Sequence, residues 1–280
     1  MSRLALATIA ATFVLILVGG VVTNTGAGLT VPDWPTTFGH NMFLFPWSGM
    51  VGGIFYEHTH RLIGSVVGLL TLGLAAALWR RGPLLRGLGV LAVVMVVVQG
   101  VLGGLRVVLL NDALALVHGT IAQAFFGLLV AIALLTARES TTRPDLEPRL
   151  RALVFVVAGL VYLQLVSGAL LTHARHLDLH VFGAMAVYAL LPQVALRVGR
   201  TRDRVAATTA RALLVLLAVQ LVLGAGSFFV RFASLSLPGD PASALALPVA
   251  HRVVGTLIFG AAVVLAIRAR LAGRAVTATP

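Results

Sequence analysis

The sequence predicts an all-α integral membrane protein with eight transmembrane helices, arranged as two pseudo-repeated four-helix bundles with both termini in the cytoplasm. Of its 280 residues, 59% are hydrophobic and only 11% are charged, and the mean hydropathy is +1.01. A soluble domain of ordinary composition does not bury so much apolar surface. Apolar runs of about 20 residues, enough to cross the hydrocarbon layer, occur near residues 4–23, 62–79, 86–106, 113–136, 151–171, 179–197, 208–230 and 246–268.

The arginines predict the orientation of these helices. The net charge is +12, and all 21 basic residues are arginine. Most of them lie at the termini or in the connections between helices 2 and 3, 4 and 5, and 6 and 7: Arg3, Arg80, Arg81, Arg86, Arg138, Arg143, Arg149, Arg151, Arg197, Arg200, Arg202, Arg204, Arg211, Arg268, Arg270 and Arg274. The positive-inside rule places these segments in the cytoplasm. We therefore expect a lipid bilayer, and no nucleic acid, as the partner of this charge.

The first apolar run is expected to remain as helix 1. It is longer than the core of a usual signal peptide, and no clear A-x-A site follows it. Helices 3, 5 and 7 share a Gln-x-x-x-Gly-small motif, which favours close helix packing: Gln99, Gly103 and Gly104; Gln164, Gly168 and Ala169; Gln220, Gly224 and Ala225. Helix 1 keeps only the small pair Gly19 and Gly20. The motif divides the chain into an N-terminal bundle over 1–137, a cytoplasmic linker over 138–150 and a C-terminal bundle over 151–280.

Four of the eight histidines lie one in each even-numbered helix, near the same predicted membrane face: His60, His118, His180 and His251. An ionisable side chain inside a membrane is a functional hypothesis by default. A small residue follows each of them one turn later, on the same helix face: Gly64, Ala122, Ala184 and Gly255. An imidazole with a gap beside it suits a flat macrocycle that carries iron.

The residue inventory favours haem over other metal groups. The chain has no cysteine and only nine acids, so a closed zinc or calcium site is short of ligands. Haem needs one or two axial ligands and an apolar pocket, which four-helix bundles provide. We expect bis-histidine haem between helices 2 and 4 and again between helices 6 and 8. The alternative is that each histidine only bonds a carbonyl or caps a helix.

Glu57 distinguishes the first pair from the second. It stands three residues before His60, whereas the corresponding residues before the other three histidines are Ala115, Leu177 and Pro248. A carboxylate beside haem suits proton transfer or the stabilisation of developing positive charge on a substrate. The alternative is a simple ion pair with Arg61, one turn further along the helix. The asymmetry predicts that one site performs chemistry and the other transfers electrons.

The chain resembles the heme A synthase family. The resemblance rests on the Gly26–Leu29 segment, the motif Pro32-Asp33-Trp34-Pro35 and the motif Glu57-x-x-His60-Arg61, together with histidines in helices 2, 4, 6 and 8 of eight. It covers essentially the whole chain. Many family members have two cysteines flanking the Pro-Asp-Trp-Pro loop, where this chain has Val31 and Thr37. Any step through a thiol pair is therefore excluded here.

The resemblance implies a bacterial plasma-membrane oxidoreductase. The family oxidises the C8 methyl of haem O to a formyl group by successive hydroxylations, which yields haem A for terminal oxidases. It implies that His60 and His118 ligate the substrate haem, that Glu57 is the catalytic carboxylate, and that His180 and His251 hold a haem b that relays electrons. His173 and His176, in the short loop before helix 6, compete with His180 for that last role. The family also implies heme O synthase as a partner, while the sequence leaves the electron acceptor unidentified.

Two further readings stay open. Arg61 and Arg252, at the outer ends of helices 2 and 8, either pair with haem propionates or extend to the membrane interface. The whole chain is alternatively a dihaem membrane cytochrome b that only transfers electrons, which needs the four histidines but not Glu57. A transporter is disfavoured, because transporters place acids and broken helices near the midplane, whereas the acids of this chain lie at the helix ends.

Overall fold

The structure is a computed structural model that describes residues 3–137, 146–232 and 240–273. It confirms the all-helical membrane fold, since eight of its helices are long and apolar enough to cross a membrane. They are α1 (Arg3–Asn24), α2 (Gly52–Leu78), α3 (Pro83–Leu109), α4 (Asp112–Leu135), α5 (Pro148–Ala174), α6 (Leu177–Val198), α7 (Arg204–Phe232) and α8 (Asp240–Gly273). The predicted arginines Arg138, Arg143 and Arg274 lie outside the described residues.

The predicted start of helix 2 was about ten residues too late. The helix begins at Gly52 rather than near residue 62, because residues 52–61 carry glutamate, histidines and arginine and do not register as an apolar run. Glu57, His60 and Arg61 therefore stand on regular helix, where residues three and four apart share a face. The helix carries these polar residues beyond the apolar part of the span.

Four helices form the centre of the bundle. α4 and α8 contact each other and each contacts both α1 and α5, while α2 and α3 pack on one side of these four helices and α6 and α7 on the other. Short connections join α3 to α4 and α5 to α6, and Leu110 and Arg175 end the leading helices in the left-handed conformation. The two predicted bundles thus meet through α1, α4, α5 and α8, although their boundaries and pseudo-repetition remain a prediction.

A reciprocal contact joins α4 to α8. Phe259 packs against Gly127, where a Cβ atom would lie 2.7 Å from the ring, and Phe126 packs against Gly260, where it would lie 3.0 Å away. Each phenylalanine follows the histidine of its own helix by eight residues. The two helices therefore cross with the same local sequence, Phe-Gly, on both sides.

The start of α7 and the end of α8 are held together by a buried ion pair. Arg268 Nε donates to Asp203 Oδ2 at 2.7 Å, and the two side chains are 1% and 3% exposed. Asp203 Oδ1 also accepts the N–H groups of Val205 and Ala206, which caps α7. This end of the bundle is the one that the arginine distribution assigns to the cytoplasm, and that assignment remains a prediction.

Two candidate histidine-pair sites

The histidines of the even-numbered helices meet in pairs inside the bundle. The ring centroids of His60 and His118 are 6.4 Å apart with planes at 70°, and those of His180 and His251 are 6.1 Å apart at 74°. α2 and α4 supply the first pair, and α6 and α8 supply the second. The structure thus brings together the histidines that the sequence proposed as partners.

The other histidines have different surroundings. His58 is 1% exposed; its Nδ1 lies 3.1 Å from the Thr37 hydroxyl, and Phe45 packs on its ring. His173 lies in the last turn of α5 and His176 directly precedes α6. His180 makes the ring contact with His251. Among the three candidates for that position, the geometry favours His180.

Each paired histidine packs on a glycine of the preceding helix. The Cε1 edge of the ring would lie 3.0 Å from a Cβ atom at Gly19, 3.4 Å at Gly103, 3.3 Å at Gly168 and 2.9 Å at Gly224. These are the glycines of the repeated motif, one on each odd-numbered helix. The close approach of ring and backbone exists because these positions lack a side chain.

The glutamines of the same motif bond the histidines. Gln99 Nε2 donates to the carbonyl of His118 at 3.0 Å, and His118 Nδ1 donates to the carbonyl of Gln99 at 3.1 Å. Gln164 Nε2 donates to the carbonyl of His180 at 2.9 Å and lies 3.2 Å from its Nδ1. Gln220 Nε2 lies 3.3 Å from Nε2 of His251. The motif therefore contributes polar contacts to the sites in addition to the close packing that the sequence indicated.

Glu57 is buried, and both of its carboxylate oxygens are bonded. Oε2 accepts the N–H groups of Thr30 at 2.7 Å and Val31 at 2.9 Å, while Oε1 accepts Arg61 Nη2 at 2.8 Å. Glu57 is only 4% exposed. The ion pair with Arg61, which the sequence offered as the alternative to a catalytic role, is present together with two backbone bonds.

Arg61 ties the segment between α1 and α2, residues 25–51, to α2; it is called the outer segment here after its predicted membrane face. Its Nη1 donates to the carbonyls of Asp33 at 2.8 Å and Thr36 at 3.0 Å, and its Nη2 donates to the carbonyl of Val31 at 3.2 Å. With these three carbonyls and Glu57, both terminal nitrogens are engaged. A propionate contact by Arg61 would have to compete with them.

The Pro-Asp-Trp-Pro motif forms a closed turn in this outer segment. The carboxylate of Asp33 accepts the hydroxyl of Thr36 and the N–H groups of Phe38 and Gly39. Partial burial alone would raise the pKa of Asp33, but the hydrogen bonds from Gly39, Thr36 and Phe38 outweigh it and hold that pKa below its usual value. Trp34 packs its ring against Gly104, where a Cβ atom would overlap it.

Three outer arginines also bind the end of α1 or the segment behind it. Arg106 Nη1 donates to the carbonyl of Gly28 at 3.2 Å, Arg252 Nη1 donates to the Thr23 hydroxyl at 3.4 Å, and Arg231 donates to the amide of Asn24. The sequence did not single out Arg106, whose guanidinium is 4.0 Å from the exposed Asp112. Its Nε is buried without a hydrogen-bond partner among the described residues. Each of these three arginines, which lie on the predicted outer face, therefore has a hydrogen-bond partner at or just after the end of α1.

The small residues one turn after the histidines are partly covered. A Cβ atom at Gly64 would lie 4.0 Å from Leu15, and one at Gly255 would lie 3.2 Å from Leu165 and 3.4 Å from Gln220 Nε2. Side chains of odd-numbered helices thus occupy the expected gap at these two positions. A macrocycle that entered there would displace leucine side chains rather than backbone.

Fold and site together define a multi-pass membrane protein with two half-buried histidine pairs, one of which includes His60, three residues after the buried Glu57 on α2. A family model described as cytochrome oxidase assembly protein matches residues 47–179. This stretch includes Glu57, His60 and His118, and it ends directly before His180.

Curated relatives extend the match. The chain is 30% identical over 184 residues to heme A synthase of Shouchella clausii, covering 62% of this chain and 60% of the relative. It is 28% identical over 170 residues to heme A synthase of Alkalihalophilus pseudofirmus, covering 58% and 56%. The matches thus span less than two thirds of the length of these relatives. The chain is thus similar to heme A synthases over part of its length, and eight of its described helices are long and apolar enough to cross a membrane.

Proposed function

We propose that this protein is a membrane oxidoreductase that converts the C8 methyl of haem O to a formyl group by successive hydroxylations, and so supplies haem A to terminal oxidases. The observation that carries the proposal is the pair of half-buried histidine–histidine contacts. The ring centroids of the two pairs stand 6.4 and 6.1 Å apart, a separation at which two imidazoles could hold one metal ion between them with bonds of about 2.0–2.1 Å.

The two pairs take different roles in this proposal. His60 and His118 hold the substrate haem O, because only their site has Glu57 on the same helix, three residues away. His180 and His251 hold a haem b, which supplies one-electron redox chemistry when it is bound.

Glu57 serves as the catalytic carboxylate in the proposal. Three donors already bond its oxygens, so it is better arranged to present a fixed negative charge than to act as a mobile base. A fixed charge stabilises positive charge that develops on the substrate without reorganising during the reaction. Glu57 also anchors the outer segment, and its two roles have to be separated experimentally.

The outer arginines bind the carboxylates of the ligands. Arg252 takes this role in the C-terminal site, since the hydrogen bond that its guanidinium makes to the described residues is the long contact to Thr23. In the N-terminal site Arg61 is largely committed to the outer segment, and Arg106 offers a buried and unbonded Nε. We therefore assign the N-terminal carboxylate contact jointly to Arg61 and Arg106. In this proposal heme O synthase supplies the substrate, and the identity of the electron acceptor is unassigned.

A dihaem cytochrome that only transfers electrons is the second candidate. One observation favours it: Arg61 and the N–H groups of Thr30 and Val31 give Glu57 a complete structural role without catalysis. Such a protein would bind haem at both histidine pairs and leave it chemically unchanged.

The decisive experiment extracts the haems from protein expressed aerobically with and without a heme O synthase. Haem A or its hydroxylated precursor, appearing only with the synthase, is expected; unmodified haem O and haem b would reject the enzyme in favour of the cytochrome. Glu57→Gln should keep the haem spectrum and lose the product. Arg61→Gln breaks the same ion pair from the other side, so an equal loss in that variant would assign the effect to the outer segment rather than to Glu57.

A further inference from the structure

We propose that the last part of the outer segment, residues 41–51, lies in the surface of the lipid bilayer and is held there by four apolar side chains. They are Phe43, Leu44, Trp47 and Val51, and each is 63–79% exposed. A cluster of large apolar side chains that a folded chain leaves exposed marks a contact with something outside that chain. The inference concerns this chain and lipid alone, and it is independent of any haem chemistry.

The composition of this stretch suits the boundary between lipid headgroups and acyl chains. No aspartate, glutamate, lysine or arginine occurs between Asp33 and Glu57. Two short 3₁₀ turns, Met42–Leu44 and Trp47–Gly49, form the stretch. Tryptophan is enriched at the level of the headgroups, where its ring contacts apolar chains and its N–H group reaches polar atoms. A partner recognised through charge would find no complementary group on this surface.

The same stretch is packed onto α2 through Phe45. The Phe45 ring lies on the His58 ring, with centroids 5.2 Å apart. Gly49 lies against Phe45 in turn, where a Cβ atom would be 2.9 Å from the ring, and the Asn41 side chain accepts the N–H group of Phe43 at 2.9 Å. The exposed side chains therefore stand on a segment that is fixed against the helix rather than on a free loop.

The contact with His58 gives the depth of the segment in the membrane. The apolar run of α2 begins near residue 62, four residues after His58, which is about 6 Å along a helix. The headgroup layer on each side of the hydrocarbon core is about 5–8 Å thick. The stretch that packs beside His58 therefore lies at the level of the headgroups and not in the water above them.

The exposed face of α2 leads directly into these four side chains. Phe55, Val66 and Leu69 are exposed and share one face of the helix, because Val66 and Leu69 follow Phe55 at close to three and four full turns. Val51 stands four residues before Phe55, where α2 begins. In a helix that crosses a membrane, an exposed apolar face contacts lipid. Residues 41–51 thus continue the lipid contact of α2 at the membrane surface.

The chain has no cysteine, so Leu44→Cys and Trp47→Cys each carry a single thiol that reports on its surroundings. The test measures the rate of alkylation by a membrane-impermeant maleimide, in phosphatidylcholine nanodiscs that hold one copy of the full chain. The thiolate is the reactive form, and it is disfavoured in contact with hydrocarbon. Arg175→Cys, at an exposed position on the same predicted face, is the water reference, and Leu69→Cys is the lipid reference.

Both variants should react at least about tenfold more slowly than Arg175→Cys, since burying one large apolar side chain favours the inserted state by that factor or more. The protein itself leaves both positions open, so such protection comes from lipid. Alkylation as fast as that of Arg175→Cys would overturn the proposal, because the segment would then face water and be free for a protein partner. Protection that appears only in discs with two copies would overturn it in favour of a contact between copies.

A second variant tests whether these side chains hold the segment in the lipid. In Trp47→Cys protein, the added changes Phe43→Ser and Leu44→Ser should raise the alkylation rate towards that of Arg175→Cys. A rate that stays slow would contradict the anchoring role, because the packing on α2 would then be sufficient to keep residue 47 in the lipid. The amide exchange of Thr30 and Val31, whose N–H groups bond Glu57, shows in the same samples that the rest of the outer segment remains folded.

Discussion

Removing Arg61 should release the outer segment between α1 and α2. The Arg61 and Glu57 side chains are only 10% and 5% exposed, and Arg61 also holds three backbone carbonyls. Breaking one partner of a buried ion pair costs about 3–5 kcal/mol. At about 1.36 kcal/mol per factor of ten, Arg61→Gln should make local opening of the segment about 10²- to 10⁴-fold more frequent. Arg61→Lys should open the segment at a frequency between those of the parent and Arg61→Gln, because an ammonium keeps the charge but lacks the forked geometry that reaches several acceptors.

Amide hydrogen exchange of the protein in nanodiscs measures this opening directly. The N–H groups of Thr30 and Val31 report on the Glu57 bonds, and that of Phe38 reports on the turn built by Asp33. Arg175→Gln is the control, since it removes an exposed arginine from the same predicted face. Protection of Thr30 and Val31 that survives Arg61→Gln within about tenfold would refute the reasoning, because the segment would then be held by something other than this guanidinium.

Two further predictions concern the histidine contacts and the outer turn. Gly103→Ala places a Cβ atom against the His118 ring and should convert part of the low-spin haem spectrum to high spin, whereas Gly100→Ala on the same helix, facing open space, should not. The lowered pKa of Asp33 means that its stabilisation of the turn is complete above the ordinary carboxyl pKa of about 3.8 and is lost as the pH falls through the lowered value. Asp33→Asn should therefore abolish the pH dependence of amide exchange at Phe38. A pH profile of Phe38 exchange that is unchanged in this variant would contradict the prediction.

Hydropathy and arginine placement predicted the eight helices, because burial in a bilayer demands long apolar runs. They did not predict where α2 begins, since its first ten residues are held by tertiary contacts rather than by hydropathy. The histidine pairing followed from one histidine per even-numbered helix. The partner of Glu57 was foreseen in Arg61, but its bonds to Thr30 and Val31 were not, because backbone donors from a loop leave no side-chain signal in the sequence.

The glutamine motif shows the other limit. Its spacing was visible in the sequence, yet packing alone was the favoured explanation, and the contacts of Gln99, Gln164 and Gln220 with the paired histidines are visible only in the structure. The role of such a motif becomes visible when the repeated helix pairs are superposed on their histidines rather than aligned by hydropathy.

The Phe-Gly crossing of α4 and α8 lies at the same distance along the helix from one paired histidine on each side. His118 and His251 each stand eight residues from it, which is about 12 Å along a helix. A tilt of about one degree at the crossing therefore shifts either imidazole by about 0.2 Å, the tolerance of a metal–ligand distance. A tilt of α4 against α8 would move one histidine of each pair at the same time. The geometry of the two sites is therefore coupled through this helix crossing.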